Sequence, residues 1–304
     1  MLVQFRTTVA RIKGLGGLLT VALSLKVNDG VVLAADSATS LMAVNQGRRG
    51  VANVYDHANK VFNLVKTLPI GVITWGAGSI GPASIATLVK DLRRRLAGDD
   101  PDHPDWTLQR DNYQLSDVAE TFREYIYNEL YEPEVRSWEP NQRPDLGFII
   151  AGYSSHNGMA EEYQIDLGPD GCEGPRRLRE LDESGVSWSG QPEAIARLLQ
   201  GYGTGLPGLL KSSLGLDDDE TKRVMEELAP RLGAPLIHPA MPMQDAIDLA
   251  EFLVYVSEMF ARFMPSPPTV GGPIEVAAIT KHEGFKWIAR KHYFSTELNP
   301  GVPT

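Results

Sequence analysis

Apolar residues cluster into short runs along the first third of the chain. Residues 19–27 and 30–36 are two such runs, and Asn28-Asp29-Gly30 lies between them. Asp-Gly tolerates the positive φ angles that tight hairpin turns need, so this pattern predicts a β-hairpin. Further apolar runs at 60–64 and 69–75 predict two more strands.

Helical periodicity appears between the predicted groups of strands. Apolar residues follow Pro82 with the spacing of one helical face up to residue 96, and Ser116 is a predicted cap for a second helix that reaches about residue 131. In the second half of the chain, the pattern predicts strands at 147–153, 162–167, 274–280 and 285–288 and helices at 192–199, 217–232 and 243–263. Strands and helices are therefore grouped, which favours an α+β fold in which two antiparallel sheets stack between helix pairs.

Composition and charge restrict the class of protein. The chain has 304 residues, of which 42% are hydrophobic, and its net charge is −10. This acidic balance argues against nucleic acid and anionic membranes as partners. The single cysteine, Cys172, excludes an intrachain disulfide, and we expect a cytoplasmic protein with no membrane span and no secretory signal. The six histidines lack metal-ligand spacing, so no metal or cofactor is predicted.

Four motifs and the order of the elements resemble a known family. The motifs are DGVVLAADSATS (29–40), NKVF (59–62), WGAG (75–78) and GPIEVAAI (272–279). Together they resemble the proteasome β-subunit family of N-terminal nucleophile (Ntn) hydrolases, which includes the HslV-type members, over roughly residues 18–90, 147–200 and 243–290. The resemblance implies a four-layer αββα sandwich at 20–290 with an insertion at about 202–240. Residues 1–19 would be an extension or propeptide, and 291–304 a C-terminal tail.

The resemblance also implies a set of site residues. In the family, a threonine that self-cleavage makes N-terminal is the nucleophile, and an aspartate follows it by sixteen residues, as Asp36 follows Thr20. A free α-amine near this hydroxyl can act as its base, and a nearby lysine, matched by Lys60, can stabilise developing negative charge. The resemblance assigns the remaining catalytic serine to Ser189 and the oxyanion or substrate-backbone contacts to Gly76, Ala77 and Ser40.

Alternatives remain at this stage. A threonine in a strand is commonly only a β-former, and a shifted alignment of TVAL puts the nucleophile position at Leu18. Thr7-Thr8 lies too far from Asp36 in sequence to be the nucleophile. The resemblance implies a threonine peptidase acting on peptides or unfolded proteins within a homo-oligomeric ring or open ring, with an ATP-dependent unfoldase as a possible partner. A catalytically silent subunit and an Ntn amidase or transpeptidase are the other hypotheses.

Overall fold

Two antiparallel sheets form the centre of the protein. The computed structural model describes residues 20–45, 48–265 and 270–292, without the side chains of 40–52. The predicted extension at 1–19, including Thr7, Thr8 and Leu18, and residues 293–304 of the predicted tail lie outside this description. The strands of the first sheet are, in spatial order, β12 (Gly185–Gly190), β1 (Val21–Val27), β2 (Gly30–Ala35), β13 (Glu275–Thr280) and β14 (Gly284–Ala289).

The second sheet also has five strands. In spatial order they are β11 (Gly171–Arg177), β10 (Glu161–Gly168), β9 (Leu146–Gly152), β6 (Ile70–Gly76) and β5 (Val61–Asn63). Two small hairpins complete the described strands: β3 (Thr39–Asn45) with β4 (Arg48–Tyr55), and β7 (Ser79–Ile80) with β8 (Ala83–Ser84).

Helices lie between the groups of strands. They are α1 (Ile85–Leu96), α2 (Leu115–Arg123), α3 (Glu132–Val135), α4 (Glu193–Gln200), α5 (Leu206–Leu214), α6 (Asp218–Leu232) and α7 (Met243–Phe263). A π-helical segment, Glu124–Tyr131, joins α2 to α3, and short 3₁₀ turns occur at Pro104–Trp106 and Pro140–Gln142. In the described part of the chain, no helix combines the length and the apolar composition that crossing a membrane requires.

Each sheet packs against apolar side chains on both of its faces. One core, which includes Leu33 and Ile149, lies between the two sheets. A second core packs the β5–β6–β9–β10 region against α1 and α2, and a third packs β1 and β2 against α4 and α7. Every residue of β1 and β2 is buried, which explains why these strands are mostly apolar; Ser24 and Lys26 are the polar residues of β1.

The mixed α/β architecture with two antiparallel sheets confirms the coarse fold prediction, but several boundaries differ. Ser84 caps α1 through the amide of Thr87, so this helix begins after the position predicted from Pro82. The second helix begins at Leu115, ahead of its predicted cap Ser116.

The elements that the sequence did not predict are the β3–β4 and β7–β8 hairpins, strands β11 and β12, and helices α3 and α5. β11 is an edge strand that contains Gly174-Pro175, residues that ordinarily indicate a turn and are tolerated at a sheet edge. Cys172 also lies in this strand. α5 has no buried residue, and Gly205, Pro207 and Gly208 at its start favour a loop in the sequence pattern.

Candidate active site

Three strand ends bring Thr20, Asp36 and Lys60 together. Thr20 directly precedes β1, and Asp36 directly follows β2. Because β1 and β2 are antiparallel, with Ala22 opposite Ala35, these two residues lie at the same end of the hairpin. Lys60 directly precedes β5 and approaches them from the second sheet.

The side chains of these three residues are in direct contact. Thr20 Oγ1 donates a hydrogen bond to Asp36 Oδ1 at 2.8 Å. Lys60 Nζ lies 2.6 Å from the same carboxylate oxygen and also donates to Thr20 Oγ1. The exposed fractions of Thr20, Asp36 and Lys60 are 3%, 0% and 6%. The hydroxyl is therefore enclosed between a carboxylate and an ammonium group, away from bulk water.

Backbone amides fix the orientation of the Asp36 carboxylate. Oδ1 accepts the N–H of Val21 at 2.9 Å, and Oδ2 accepts the N–H groups of Ala38 and Gly271, each at 3.1 Å. These donors come from β1, from the turn after β2 and from the segment before β13. The carboxylate thus connects three parts of the chain and holds its position beside Thr20.

Burial changes the acid–base behaviour of Lys60. Removal from water lowers the pKa of the Lys60 ammonium below its ordinary value, and the charge and hydrogen bond of Asp36 offset only part of this effect. The Lys291 ammonium lowers this pKa further. Lys60 consequently gives up its proton more readily than an exposed lysine does.

Strand β12 positions the backbone of Thr20. The N–H of Gln191 donates to the Thr20 carbonyl at 2.7 Å. Gly190 has a φ of 97°, and a Cβ atom added there would lie 1.8 Å from the Thr20 carbonyl oxygen. Glycine is therefore required at this position by both conformation and space. Ser189 is buried in the same strand, directly opposite Ala22 in the β1–β12 register.

Two residues beneath the site were not predicted. The Glu275 Oε2 atom accepts the backbone N–H of Lys60 at 3.1 Å and lies 3.2 Å from Lys291 Nζ. Lys291 Nζ also donates to Ser37 Oγ and to the Ala58 carbonyl, each at 2.6 Å. An acid in the otherwise apolar strand β13 was the sequence signal that could have identified Glu275.

The expected oxyanion contacts lie at the end of β6. Gly76 has a φ of 90°, and a Cβ atom there would lie 2.3 Å from the Asp145 carbonyl oxygen. The N–H of Ala77 donates to that same carbonyl at 2.9 Å. The Ala77 amide is therefore bonded within the protein, and its role as an oxyanion donor stays a prediction. Ser40 pairs with Val54 in the β3–β4 hairpin, and its side chain lies outside the description.

The described residues offer no cluster of three or more histidine, cysteine, aspartate or glutamate side chains that could hold a metal ion. The chemistry available at Thr20, Asp36 and Lys60 is that of a hydroxyl next to a paired cation and anion. Such a group can serve as a nucleophile if a base removes its proton.

Comparisons with known proteins give limited similarity. No protein-family model matches the sequence, and no curated protein matches it either. Among solved structures, one match is "Anbu (Gly-1) mutant from Hyphomicrobium sp. strain MC1". It has a TM-score of 0.48 and 16% sequence identity, and the match covers 90% of this chain and 86% of that chain. Similarity at this level does not define the activity of the protein.

Proposed function

We propose that the protein is a threonine-type N-terminal nucleophile hydrolase that cleaves amide bonds in peptides, with a proteasome-like four-layer αββα arrangement. One observation carries the proposal: Thr20 Oγ1 contacts both the Asp36 carboxylate and the Lys60 ammonium in a buried site. The packing of helices on the outer faces of the two sheets supports the layered arrangement.

The first step of the proposed mechanism is cleavage of the Leu19–Thr20 peptide bond. In the intact chain the Thr20 nitrogen is part of this amide and cannot act as a base. Thr20 Oγ1 attacks the Leu19 carbonyl carbon, the C–N bond breaks, and the nitrogen takes the hydroxyl proton. Water then hydrolyses the resulting ester, which releases a carboxylate on Leu19 and restores the Thr20 hydroxyl.

Turnover of substrate repeats this chemistry with the freed amine as base. An α-amine has an ordinary pKa of about 7.7–8.0, so much of it can accept the Oγ1 proton near neutral pH. Oγ1 attacks the substrate carbonyl, the amine passes the proton to the departing amine of the substrate, and water hydrolyses the acyl ester. Lys60 stabilises the negative charge that develops on Oγ1, and Asp36 fixes both residues.

Mass spectrometry and N-terminal sequencing of the purified protein test this proposal. We expect the mature chain to begin at Thr20, Thr20→Ala to remain uncut, and Thr20→Ser to be cut. Thr121→Ala, a substitution on α2 away from the site, is the matched control and should process normally. A full-length chain that stays uncut and hydrolyses no fluorogenic peptide would contradict the proposal.

A catalytically silent protein is the second candidate, and the Ala77 amide supports it. Because this N–H is bonded to the Asp145 carbonyl, one expected oxyanion donor is occupied. In that case the Thr20–Asp36–Lys60 cluster would only join the two sheets. An amidase or transpeptidase would be recognised by products other than those of peptide hydrolysis, for example acyl transfer to an added amine.

Assembly and cellular setting are further parts of the proposal. We propose a cytoplasmic homo-oligomer, a ring or open ring, that acts on peptides or unfolded chains, with an unfoldase as a possible partner. Exposed apolar side chains on α7 support self-association, since Phe252, Tyr255 and Phe263 are 47%, 50% and 79% exposed.

A further inference from the structure

A cavity of ≈ 140 Å³ lies where one edge of each sheet meets helix α1. β5 and β14 are the outermost strands of their sheets, and both contribute to its wall. Lys90 and Arg93 of α1 line the cavity from the helix side. Its volume is similar to that of cavities known to hold a molecule of about the size of benzene.

Positive charge is concentrated around this cavity. Its lining includes Lys66, Lys90, Arg93 and Arg290, and Glu275 is the one acid among the lining residues. None of the four cations forms an ion pair with another residue in the part of the chain that the structure describes. In a chain whose net charge is −10, four cations without a paired acid in one cavity form a local site for an anion.

The single acid of the lining, Glu275, already interacts with other residues of the protein. Glu275 Oε2 accepts the Lys60 backbone N–H and lies 3.2 Å from Lys291 Nζ, which is not among the lining residues. Its negative charge is therefore balanced by Lys291. Among the described residues, the four lining cations have no ion-paired carboxylate.

Arg93 is fixed in the wall by backbone carbonyls. Its Nε atom donates to the Leu64 carbonyl at 3.3 Å, and its Nη2 atom donates to the Asn63 carbonyl. Burial lowers the pKa of the Arg93 guanidinium, and the nearby Arg290 guanidinium lowers it further. Two cations that repel each other across a cavity favour an anion between them.

The remaining wall can contact an uncharged part of a ligand. Trp287 lines the cavity, packs edge-to-face on Phe285 with ring centroids 5.2 Å apart, and lies beneath Arg290 at 4.8 Å. Asn63 also lines the cavity, and its buried side-chain oxygen has no hydrogen-bond partner among the described residues. Rotation of this amide would present its NH₂ group as a donor.

We propose that this cavity binds a small ligand that has a carboxylate or phosphate group attached to a nonpolar part no larger than an aromatic ring. The oxyanion lies among the four lining cations, which are Lys66, Lys90, Arg93 and Arg290. Trp287 contacts the nonpolar part of the ligand. The site is distinct from Thr20, but the two share a wall because Glu275 lines the cavity and bonds to Lys60. The proposal does not depend on hydrolase activity.

Calorimetric titration of the full chain with benzoate and with inorganic phosphate tests the proposal, with sodium chloride at matched ionic strength as the salt control. The test variant is Lys90→Gln with Arg290→Gln, both exposed side chains. The matched control is Lys222→Gln with Arg223→Gln on α6, which removes the same charges elsewhere. We expect saturable binding that weakens about tenfold or more in the test variant and less than about twofold in the control.

The two probes also identify the source of the oxyanion. Binding of benzoate with a change in tryptophan fluorescence supports a carboxylate on a ring, and binding of phosphate alone supports a phosphate group. Lys66→Gln provides a second variant in case the first loses its fold by circular dichroism. Saturable binding of neither probe, or an equal loss in the test and control variants, would overturn the proposal.

Discussion

The Lys291 ammonium lies 3.2 Å from Glu275 Oε2, the oxygen that also accepts the backbone N–H of Lys60. Glu275 is the first residue of β13 and Lys291 follows β14, so they lie at the open end of the β13–β14 hairpin, as Thr20 and Asp36 lie at the open end of the β1–β2 hairpin. The two pairs therefore lie at corresponding ends of adjacent hairpins in one sheet. The Glu275–Lys291 pair supports the catalytic cluster, because Glu275 binds the backbone N–H of Lys60.

We expect Glu275→Gln to lower the free energy of unfolding by about 3 kcal/mol, because Lys291 would keep its buried charge without a carboxylate. Urea unfolding followed by circular dichroism measures the loss. The double variant Glu275→Gln with Lys291→Met should lose less than the sum of the two single variants. Additive losses would show that the two side chains are not coupled.

Lys60→Ala should stop cleavage at Leu19–Thr20, since no cation would remain next to Oγ1. Because Lys60 is buried and paired with Asp36, we also expect a loss of about 3 kcal/mol in stability.

The variant Lys60→Arg separates the effect of Lys60 on cleavage from its effect on stability. It keeps the positive charge but places a planar group where an ammonium contacts two partners, so processing should fail with a smaller loss of stability. Intact mass and urea unfolding of both variants provide the measurements. Normal processing in Lys60→Ala would exclude Lys60 from the mechanism.

Gly190→Ala should displace Thr20, because its Cβ would overlap the Thr20 carbonyl and its φ is 97°. We expect a loss of about 2 kcal/mol or more and a marked decrease in the processed fraction. Gly205→Ala is the matched control, since a Cβ there meets nothing within 4 Å. Equal behaviour of the two variants would mean that the Gly190 contact does not position Thr20.

Lys26 gives a prediction about pH. It is fully buried and donates to the carbonyls of Glu180 and Leu181, each at 2.9 Å. Burial lowers its pKa below the ordinary 10.5, the Glu162 carboxylate opposes this shift, and the Arg179 guanidinium adds to it.

Between this lowered pKa and 10.5, the unfolded chain binds more protons at Lys26 than the folded chain does. The contribution of Lys26 to the free energy of unfolding therefore rises with pH across that window. Comparison of the parent with Lys26→Met by urea unfolding at several pH values isolates this contribution, and Lys222→Met on α6 is the control. A difference between parent and Lys26→Met that falls with rising pH would contradict the sign.

The exposed residues of α7 give a prediction about assembly. Light scattering at micromolar concentration should show a species larger than the 33.3 kDa chain. Phe252→Lys with Tyr255→Lys should reduce the measured mass, whereas Leu209→Lys with Leu214→Lys on α5 should not, if α7 forms the contact. A monomer in the parent protein would exclude self-association under these conditions.

The β1–β2 hairpin could be predicted because it is fully buried and its turn, Asn28-Asp29-Gly30, is specific. The same hairpin explains the proximity of Thr20 and Asp36, since residues that flank the open end of an antiparallel pair must be neighbours. Lys60 comes from the other sheet, and no local spacing shows which strand will pack across from β1. Lys60 was therefore predicted as a site residue from the family resemblance alone.

The Glu275–Lys291 pair shows what sequence reasoning left out. Glu275 lies near the start of a predicted strand and Lys291 follows another, but a charged residue at a strand end is ordinarily exposed, so nothing in the local pattern indicates burial. The Ala77 amide was assigned as an oxyanion donor from the family resemblance, whereas the carbonyl to which it donates, that of Asp145, lies far away in the sequence. Contacts of this kind depend on tertiary packing.

Chain ends usually fray, because their last residues lack neighbours on one side. β1 lies between β2 and β12, and the Thr20 carbonyl and the Val21 N–H are both hydrogen-bonded. A chain opened before Thr20 would therefore begin with a residue as restrained as one in the middle of a sheet. Folding would already restrict the motion of the new amine. Substrate binding would therefore not have to restrict it again, and this part of the entropy cost would be absent from each catalytic cycle.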